Sequence, residues 1–299
     1  MRFDRYSQDS RQGPVISFEV FPPKTDAGLE KLHELLPELL ELRPSFFTVT
    51  YGAMGSTQGR TLEIARTIRE RHGIDAACHL TCVGSSRAEL DGLLAAIHDA
   101  GVRDIVALRG DPPQGQTDFV PPADGLGHAN ELVAHIHNFT QRTGRERFGI
   151  AVAGYPEKHT EAPDLATDIR FLKQKTDAGA DVVVTQLFFD NRNFFAWQRD
   201  ARAAGISLPI IPGLLPIVKV KQIKRISEMC GCVIPAELEE LLREAGDDDE
   251  RAEEIGVRQC VAQARELLES GVPGIHFYVM NRSSHMRRIM QELRPLLRG

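Results

Sequence analysis

A single carboxylate, Glu19, stands inside an otherwise apolar run near the start of the chain. It lies between Phe18 and Val20 and is followed by a Phe-Pro-Pro turn. An apolar wall disfavours the charged form of a carboxyl group, so the sequence predicts a raised pKa for Glu19. A carboxyl group that keeps its proton near neutral pH can act as a general acid. The structural alternative is a carboxylate that is hydrogen-bonded to a neighbouring strand or to a buried Arg.

Other polar side chains interrupt or follow apolar runs in the same way. Arg109, Gly110 and Asp111 end one run in a tight turn before two prolines, where a ligand can approach the backbone closely. An Arg–Asp contact within that turn is the structural alternative. The other polar residues at such positions are Thr50, Tyr51, His79, Thr81, Tyr155, Gln186, Tyr278 and Arg282.

Several other chemistries lack their sequence signatures. Gln186 stands where a Lys would have suggested Schiff-base chemistry. Neither GxxxxGK[ST] nor GxGxxG after a strand occurs, so a nucleotide must be held without a glycine-rich phosphate loop. His79, Asp111 and His159 are conceivable metal ligands, but no HxH or HExxH spacing supports them and we expect no metal. His79 is equally compatible with a hydrogen-bonded core histidine.

The elements that must position these residues follow from hydrophobic periodicity. Apolar runs bounded by turn residues predict eight buried strands, at 15–21, 46–52, 76–82, 104–110, 148–155, 181–189, 208–215 and 274–280. Between them, leucines spaced three and four apart predict amphipathic helices, one of which opens with a Ser86–Glu89 capping box. Glycines that follow helices and precede strands are Gly101, Gly179, Gly205 and Gly271.

This alternation predicts an α/β protein, a single (β/α)8 TIM barrel over residues 1–299, with an open doubly wound sheet as the alternative. The longer interval between the seventh and eighth runs predicts extra helices there, and the acidic run 247–250 predicts a solvated surface. Chemistry in such a barrel lies at the carboxyl ends of the strands. We therefore expect the polar side chains of seven strands to converge on one mouth.

Composition narrows the classes of function. The 299 residues are 42% hydrophobic and 26% charged, which is ordinary for a globular protein. A net charge of -6 without a block of Lys and Arg predicts no nucleic-acid partner. The polar N-terminus and the lack of a long apolar segment predict a cytoplasmic protein without membrane association. Five cysteines without CxxC spacing are expected to be reduced thiols.

Nine stretches give the chain a family resemblance. They are SFEVFPPK (17–24), VTYGA (49–53), HLTC (79–82), ALRGD (107–111), YPEKH (155–159), KTDAGAD (175–181), TQLFFD (185–190), PGLLP (212–216) and HFYVMNR (276–282). Together they resemble methylenetetrahydrofolate reductase of the bacterial type, a flavoprotein barrel. The resemblance implies a ping-pong enzyme that passes a hydride from NADH or NADPH to non-covalently bound FAD and then to 5,10-methylenetetrahydrofolate. It also implies a homo-oligomer.

The resemblance assigns roles residue by residue. Glu19 matches the general acid, and Asp111 matches the carboxylate beside both flavin and folate. Gln186, Gln222 and Arg282 match folate-contacting positions, while Gln186 and Thr50 also match contacts to the nicotinamide nucleotide. Positions that hold FAD in the family are matched by Tyr51, Ala53, His79, Arg109, Gly110, His128, Ala129, Tyr155, His159, Ala162, Asp168 and Lys175.

The chain departs from the family pattern in places. Ile226 stands where the family often has a stacking Phe, and Phe171 and Gln174 stand at positions that are polar or basic in relatives. The adenosine end of FAD is then expected to be held differently. We expect no C-terminal regulatory domain and no inhibition by S-adenosylmethionine. The alternative functions are a non-redox pterin-binding barrel, such as a folate-dependent methyltransferase domain, and a non-catalytic scaffold.

Overall fold

The computed structural model describes residues 1–51, 58–111 and 120–297 as alternating strands and helices. The strands are β1 (Val15–Val20), β2 (Phe46–Val49), β3 (Asp75–Thr81), β4 (Asp104–Leu108), β5 (Gly149–Gly154), β6 (Val182–Thr185), β7 (Ile210–Ile211), β8 (Gly213–Leu214) and β9 (Gly274–Tyr278). The helices are α1 (Tyr6–Asp9), α2 (Asp26–Leu40), α3 (Gln58–His72), α4 (Arg87–Asp99), α5 (Ala129–Thr143), α6 (Leu165–Asp177), α7 (Asn191–Ala203), α8 (Val220–Cys230), α9 (Ala236–Ala245), α10 (Asp249–Glu269) and α11 (Ser284–Leu293).

β7 and β8 are the two halves of one barrel strand that is interrupted at Pro212. β7 pairs with β6 and β8 pairs with β9, while β1 to β6 pair in chain order and β1 also pairs with β9, all in parallel. These pairings close the eight-stranded barrel that the sequence predicts, and the open doubly wound sheet is wrong. Pro212 has no N–H for the ladder, although its carbonyl oxygen accepts a hydrogen bond from His276 N at 3.0 Å.

The sixth strand is shorter than its apolar run. β6 ends at Thr185, whereas the run continues to Phe189. Leu187 and Phe189 instead belong to a second buried cluster, in which Ile223 of α8 and Leu238 of α9 also pack. The apolar character of the run thus reflects two successive packing environments rather than one long strand.

The predicted helix signals are confirmed. Ser86 and Glu89 form a reciprocal capping box at the start of α4. Gly101 and Gly179 follow α4 and α6 with φ angles of 76° and 109°, a region that L-residues with a Cβ rarely occupy. Three helices, α8, α9 and α10, lie between the seventh and eighth barrel strands, two more than the one that a barrel unit requires.

The amino end of the barrel is closed by the first residues of the chain. Phe3 and Tyr6 are buried in the same cluster as Val15, Phe46 and Ile211. The backbone N–H of Phe3 donates to Asp104 Oδ1 at 2.7 Å, which ties this segment to β4. The opposite end, at the carboxyl ends of the strands, is where the polar residues lie. No helix in the described part of the chain is long and apolar enough to cross a bilayer.

Candidate active site

Glu19 lies in a buried polar cluster built by four neighbouring strands. On β2, Thr48 pairs directly with Glu19, and its hydroxyl donates to Glu19 Oε2 at 3.1 Å. From β9, His276 Nε2 lies 3.3 Å from the same oxygen, and from β3, His79 Nε2 lies 3.1 Å from it. These residues and Ser17, whose hydroxyl lies 2.8 Å from His276 Nδ1, are named here the Glu19 cluster.

The two oxygens of Glu19 have different surroundings. All the contacts of the Glu19 cluster fall on Oε2. Oε1 accepts no hydrogen bond from the part of the chain that the structure describes. The Glu19 side chain keeps 7% of its surface exposed and that of His79 keeps 11%, whereas His276 is 1% exposed. Oε1 is therefore the oxygen available to a ligand at the mouth.

The predicted raised pKa of Glu19 is wrong. Burial does favour the protonated form, but the charge on His79, hydrogen bonds from His276 and His79, and the charge on His276 more than offset it. The pKa of Glu19 consequently falls to about 2. The alternative of a carboxylate bonded to neighbouring strands describes the resting arrangement, with histidines as the partners in place of a buried Arg. The carboxyl group is ionised at neutral pH with these neighbours.

Arg109 is held by a carboxylate, although not by Asp111. Its Nη1 donates to Glu161 Oε2 at 2.5 Å and its Nη2 donates to Glu161 Oε1 at 2.7 Å. The Nε of Arg109 donates to the carbonyl oxygen of Gly110 at 3.2 Å. Gly110 has a φ of 91°, and a Cβ there would lie 2.6 Å from Val83, so the glycine is required by the protein's own packing.

Lys175 lies on α6, and its side chain reaches the end of β5. Its Nζ donates to Ala153 O at 2.5 Å and lies 5.5 Å from the centre of the Tyr155 ring, a cation–π distance. His159 packs edge-on against Tyr155, with ring centres 4.7 Å apart. Burial lowers the pKa of Lys175 to about 8, and the charge on Asp168 opposes this shift. Burial also raises the pKa of Asp168, against the charge of Lys175.

Gln186 has a defined amide orientation. Its Oε1 accepts a hydrogen bond from the backbone N–H of Leu187 at 2.9 Å. A backbone N–H needs an acceptor, so the amide oxygen and not the nitrogen must face it. The Nε2 donors of Gln186 are left to contact a ligand acceptor.

The remaining candidate residues lie around this mouth. Thr50 directly follows β2, and its N–H continues the ladder to Val20 O at 3.1 Å. Asp111 is exposed. Burial raises the pKa of the partly buried Cys230 thiol, at the end of α8, to about 11, and the charge of Asp111 adds to this shift. Gln222 lies on α8 two turns before Cys230, with Ile226 between them at spacings of four. Ile226 packs against the second cluster.

Four further candidates lie at the start of α5, on the loop before α6 and just before α11. His128 occupies the N-cap position of α5 without a side-chain capping hydrogen bond, Ala129 is the first residue of α5, and the charge of His128 acts on Glu161. Ala162 is buried and accepts a hydrogen bond from Lys158 Nζ at 2.6 Å through its carbonyl oxygen. Arg282 lines a cleft of about 600 Å³ between α2 and α11. Tyr51 packs against the main core, and Ala53 lies outside the described residues.

Sequence reasoning missed four residues that shape the site: Ser17, Thr48, His276 and Glu161. Ser17 lies two residues before Glu19 on β1, and Thr48 pairs with Glu19 from β2. The alternation of side chains along a strand was the signal that could have found both. His276 is 257 residues from Glu19 in the chain, and Glu161 is 52 residues from Arg109. No local sequence pattern predicts contacts at such separations. Across the described ranges, no three His, Cys, Asp or Glu side chains are grouped so as to hold a metal ion.

Comparison with known proteins covers nearly the whole chain. The model of the family described as methylenetetrahydrofolate reductase matches residues 5–294. The Arabidopsis thaliana protein named methylenetetrahydrofolate reductase (NADH) 1 is 40% identical over 93% of this chain and 48% of its own length. The 5,10-methylenetetrahydrofolate reductase of Escherichia coli is 36% identical over 91% of this chain and 88% of its own length. This chain spans about half the length of the plant and yeast relatives it matches.

Solved structures share the fold. A Clostridium thermocellum protein described as binding two copies of 5-methyl-5,6,7,8-tetrahydrofolic acid superimposes with a TM-score of 0.62 over 98% of both chains. A 2,3-dimethylmalate lyase superimposes with a TM-score of 0.53 over 97% of this chain and 86% of its own. Their identities of 16% and 11% limit both comparisons to the fold.

Proposed function

The chain belongs to the methylenetetrahydrofolate reductase family, and from this premise we propose that it reduces 5,10-methylenetetrahydrofolate to 5-methyltetrahydrofolate with bound FAD and NADH or NADPH. The observation that carries the proposal is the Glu19 cluster, a buried carboxyl group at the mouth of the barrel with one oxygen that no described residue engages. A general acid placed beside a ligand-accessible mouth is the group that this reduction requires.

The residues around Tyr155 fit a dinucleotide. Arg109 and Lys175 supply cations for a diphosphate, and Tyr155 and His159 supply ring surfaces beside them. The Thr81 hydroxyl, at the end of β3, is buried without a hydrogen-bond partner among the described residues. A ligand that covers the mouth would satisfy it. When bound, FAD supplies a hydride carrier between the nicotinamide nucleotide and the folate, which no side chain can replace.

Glu19 has a defined task in the folate reaction. The methylene carbon of the substrate bridges two nitrogens, and one carbon–nitrogen bond must open before a hydride can reach it. The leaving nitrogen needs a proton, and a positioned acid accelerates such a step by roughly 10²- to 10⁴-fold. Glu19 Oε1 is the oxygen from which this proton is donated.

The low pKa of Glu19 must rise before it can serve as an acid. The largest lowering influence is the charge on His79, which is also a family position for FAD. A ligand that hydrogen-bonds His79 in place of Glu19 would weaken that influence, and a folate over the mouth would remove the remaining water. Both changes raise the pKa of the carboxyl group. Glu19 therefore takes up its proton as the site fills.

Two further residues have roles in this scheme. Asp111 is an exposed carboxylate at the mouth, and its negative charge stabilises the cation that develops when the carbon–nitrogen bond opens. Gln186 presents amide N–H donors, which suit a carbonyl oxygen of the nicotinamide or of the pterin. Both residues act on ligands that occupy the same mouth in turn, which is consistent with a ping-pong cycle.

The test separates redox from non-redox chemistry. Purified protein should be yellow, or become so after incubation with FAD, and acid precipitation should release the flavin. Each nicotinamide nucleotide is then mixed anaerobically with the protein, followed by methylenetetrahydrofolate, while the visible flavin absorbance is recorded. We expect the flavin absorbance to fall after the nucleotide is added and to return after methylenetetrahydrofolate is added. Protein that binds folate but no flavin would favour the pterin-binding alternative, and protein that binds neither would favour a scaffold.

A further inference from the structure

The ring of His276 has both nitrogens engaged inside the barrel. Nδ1 lies 2.8 Å from Ser17 Oγ, and Nε2 lies 3.3 Å from Glu19 Oε2. Ser17 is 0% exposed and His276 is 1% exposed. Because the His276 ring is shielded from the mouth and contacts Glu19, we expect it to act on chemistry through Glu19.

The strand register makes this arrangement rigid. Ser17 pairs with His276 across β1 and β9, and Glu19 pairs with Thr48 across β1 and β2. Ser17 and Glu19 are two residues apart on β1 and so project from the same face. The Ser17 hydroxyl, the His276 imidazole and the Glu19 carboxyl group are therefore carried by two adjacent strands, β1 and β9, rather than by loops.

A polar group at this depth has a cost that apolar residues avoid. The barrel interior near the amino end is filled by Ala77, Val106, Ala151, Val182 and Ile211. Burial of a hydroxyl and an imidazole among such residues is unfavourable unless they are paired, and a paired set contributes less than apolar packing of equal volume. The Ser17–His276 pair is thus a feature that stability alone does not favour.

We propose that His276, backed by Ser17, is a positioning residue that turns the Glu19 carboxyl group so that its acidic proton resides on Oε1. This inference rests on the proposed function. We assign the Ser17 hydroxyl as the donor to Nδ1, an assignment that puts the proton of the neutral ring on Nε2, which lies 3.3 Å from Glu19 Oε2. Thr48 donates to the same Oε2 at 3.1 Å.

The consequence concerns which oxygen is acidic. An oxygen that accepts N–H and O–H donors is not the one that carries a proton in the carboxylic acid. When Glu19 takes up a proton, that proton therefore binds Oε1, the oxygen that the described residues leave unengaged. The carboxyl group is thus oriented toward the mouth before any substrate arrives, and the proton that it takes up as the site fills is placed for donation.

Replacement of His276 tests the inference kinetically. His276→Leu removes the donor, whereas the amide nitrogen of His276→Gln can still donate to Oε2. We expect the Leu variant to slow the folate half-reaction by roughly 10- to 100-fold, less than the full loss of an acid, with an unchanged KM for folate. We expect the Gln variant to stay within about threefold of the parent, since it keeps the donor. Flavin reduction by the nucleotide should be unchanged in both.

A matched control is His285→Gln, because His285 is a fully buried histidine on α11, outside the barrel interior. It should leave both half-reactions unchanged. Equal slowing of both half-reactions by His276→Leu would show a general structural role. A Gln variant as slow as the Leu variant would show that the ring does more than donate a hydrogen bond. Either result, or no effect at all, overturns the inference.

A spectroscopic measurement keeps the inference testable if the Leu variant fails to fold. Nitrogen NMR of histidine-labelled protein should show, for the neutral form of the His276 ring, a bare Nδ1 and a protonated Nε2. Ser17→Ala should convert this to a mixture of tautomers. A parent protein with the proton on Nδ1 would overturn the inference even if folate reduction is observed. Absence of folate reduction in the parent, with the expected tautomer, would instead overturn the proposed function.

Discussion

Arg109 and Glu161 form a bidentate ion pair, in which Nη1 lies 2.5 Å from Glu161 Oε2 and Nη2 lies 2.7 Å from Glu161 Oε1. The same paired geometry serves for a phosphate, so Glu161 occupies the guanidinium edge that a diphosphate would use. Half of the Glu161 side chain, 51%, is exposed, and such ion pairs contribute only about 0–1 kcal/mol. A bound anion can therefore displace Glu161 at a small cost in free energy, and Glu161 competes with that anion for Arg109.

Glu161→Gln should tighten FAD binding, because it removes a competing negative charge beside Arg109 and His128. The expected gain is roughly two- to fivefold in Kd, measured by titration of flavin-free protein with quenching of flavin fluorescence. The control is Glu254→Gln, which removes an exposed carboxylate from the Arg258 pair on α10. Weaker FAD binding by Glu161→Gln would mean that Glu161 orients Arg109 for the cofactor.

The pH dependence of FAD binding should report Lys175. Its pKa is lowered to about 8 by burial, so the cation is present below that pH and is lost above it. A diphosphate prefers the cation, hence the Kd for FAD should be flat below about pH 8 and rise by up to roughly tenfold per pH unit above it. Lys175→Met should bind FAD more weakly at neutral pH and lose this dependence.

Lys173→Met is the control for this experiment, since Lys173 lies on the same helix in an ion pair with Asp177. It should retain the parent pH profile. The charged and titratable groups near Lys175 and its neighbours are Asp168, Tyr155, His159 and Arg109. A Lys175→Met profile that still bends near pH 8 would assign the dependence to another group.

Glu19→Gln should separate the two half-reactions. The amide keeps the shape and can still contact Thr48, but it has no acidic proton to donate. Folate reduction should fall by roughly 10²-fold or more, while reduction of the flavin by the nucleotide persists. Stopped-flow absorbance measures both rates in one preparation. Equal loss of both rates would make Glu19 a structural or flavin-positioning residue.

Asp111→Asn should change the flavin and the folate reaction in opposite senses. Loss of a negative charge makes the flavin easier to reduce, so its midpoint potential should rise. The same loss removes stabilisation from the folate cation, so folate reduction should slow. Potentiometric titration and stopped-flow absorbance measure the two effects. An unchanged potential with weaker folate binding would limit Asp111 to orienting the pterin.

Tyr278→Phe should destabilise the barrel where its seventh strand is divided. The Tyr278 hydroxyl donates to Thr185 O at 2.7 Å, from β9 to the end of β6, and the ring packs where a Cβ on Gly213 would clash. Loss of this buried hydrogen bond should lower the free energy of unfolding by about 1–3 kcal/mol, with an unchanged urea m-value.

Tyr6→Phe is the matched control, because the buried Tyr6 hydroxyl has no hydrogen-bond partner among the described residues. Removal of an unsatisfied buried hydroxyl should leave the free energy of unfolding unchanged or raise it. Equal losses in both variants would show that the Tyr278 hydrogen bond contributes nothing specific.

The sequence by itself determined the features that depend on neighbouring residues. Apolar runs, leucine spacing, the Ser86–Glu89 box and the glycines after helices predicted the (β/α)8 barrel and its extra helices, since periodicity and capping are local properties. The position of Glu19 at a strand end also followed, because the carboxyl ends of parallel strands lie at one edge. The interruption at Pro212 did not follow, because a two-residue half-strand leaves no period to detect.

Only the tertiary structure decided the charge of Glu19 and the partner of Arg109. An apolar flank predicts a raised pKa, yet His79 and His276 arrive from other strands and lower it to about 2. Arg109 pairs with Glu161 from a distant loop rather than with Asp111 two residues away. The physical reason is that electrostatic energy depends on separation in space. Barrel closure brings groups that are 52 to 257 residues apart in the chain within hydrogen-bond distance, where their interaction exceeds the local cost of burial.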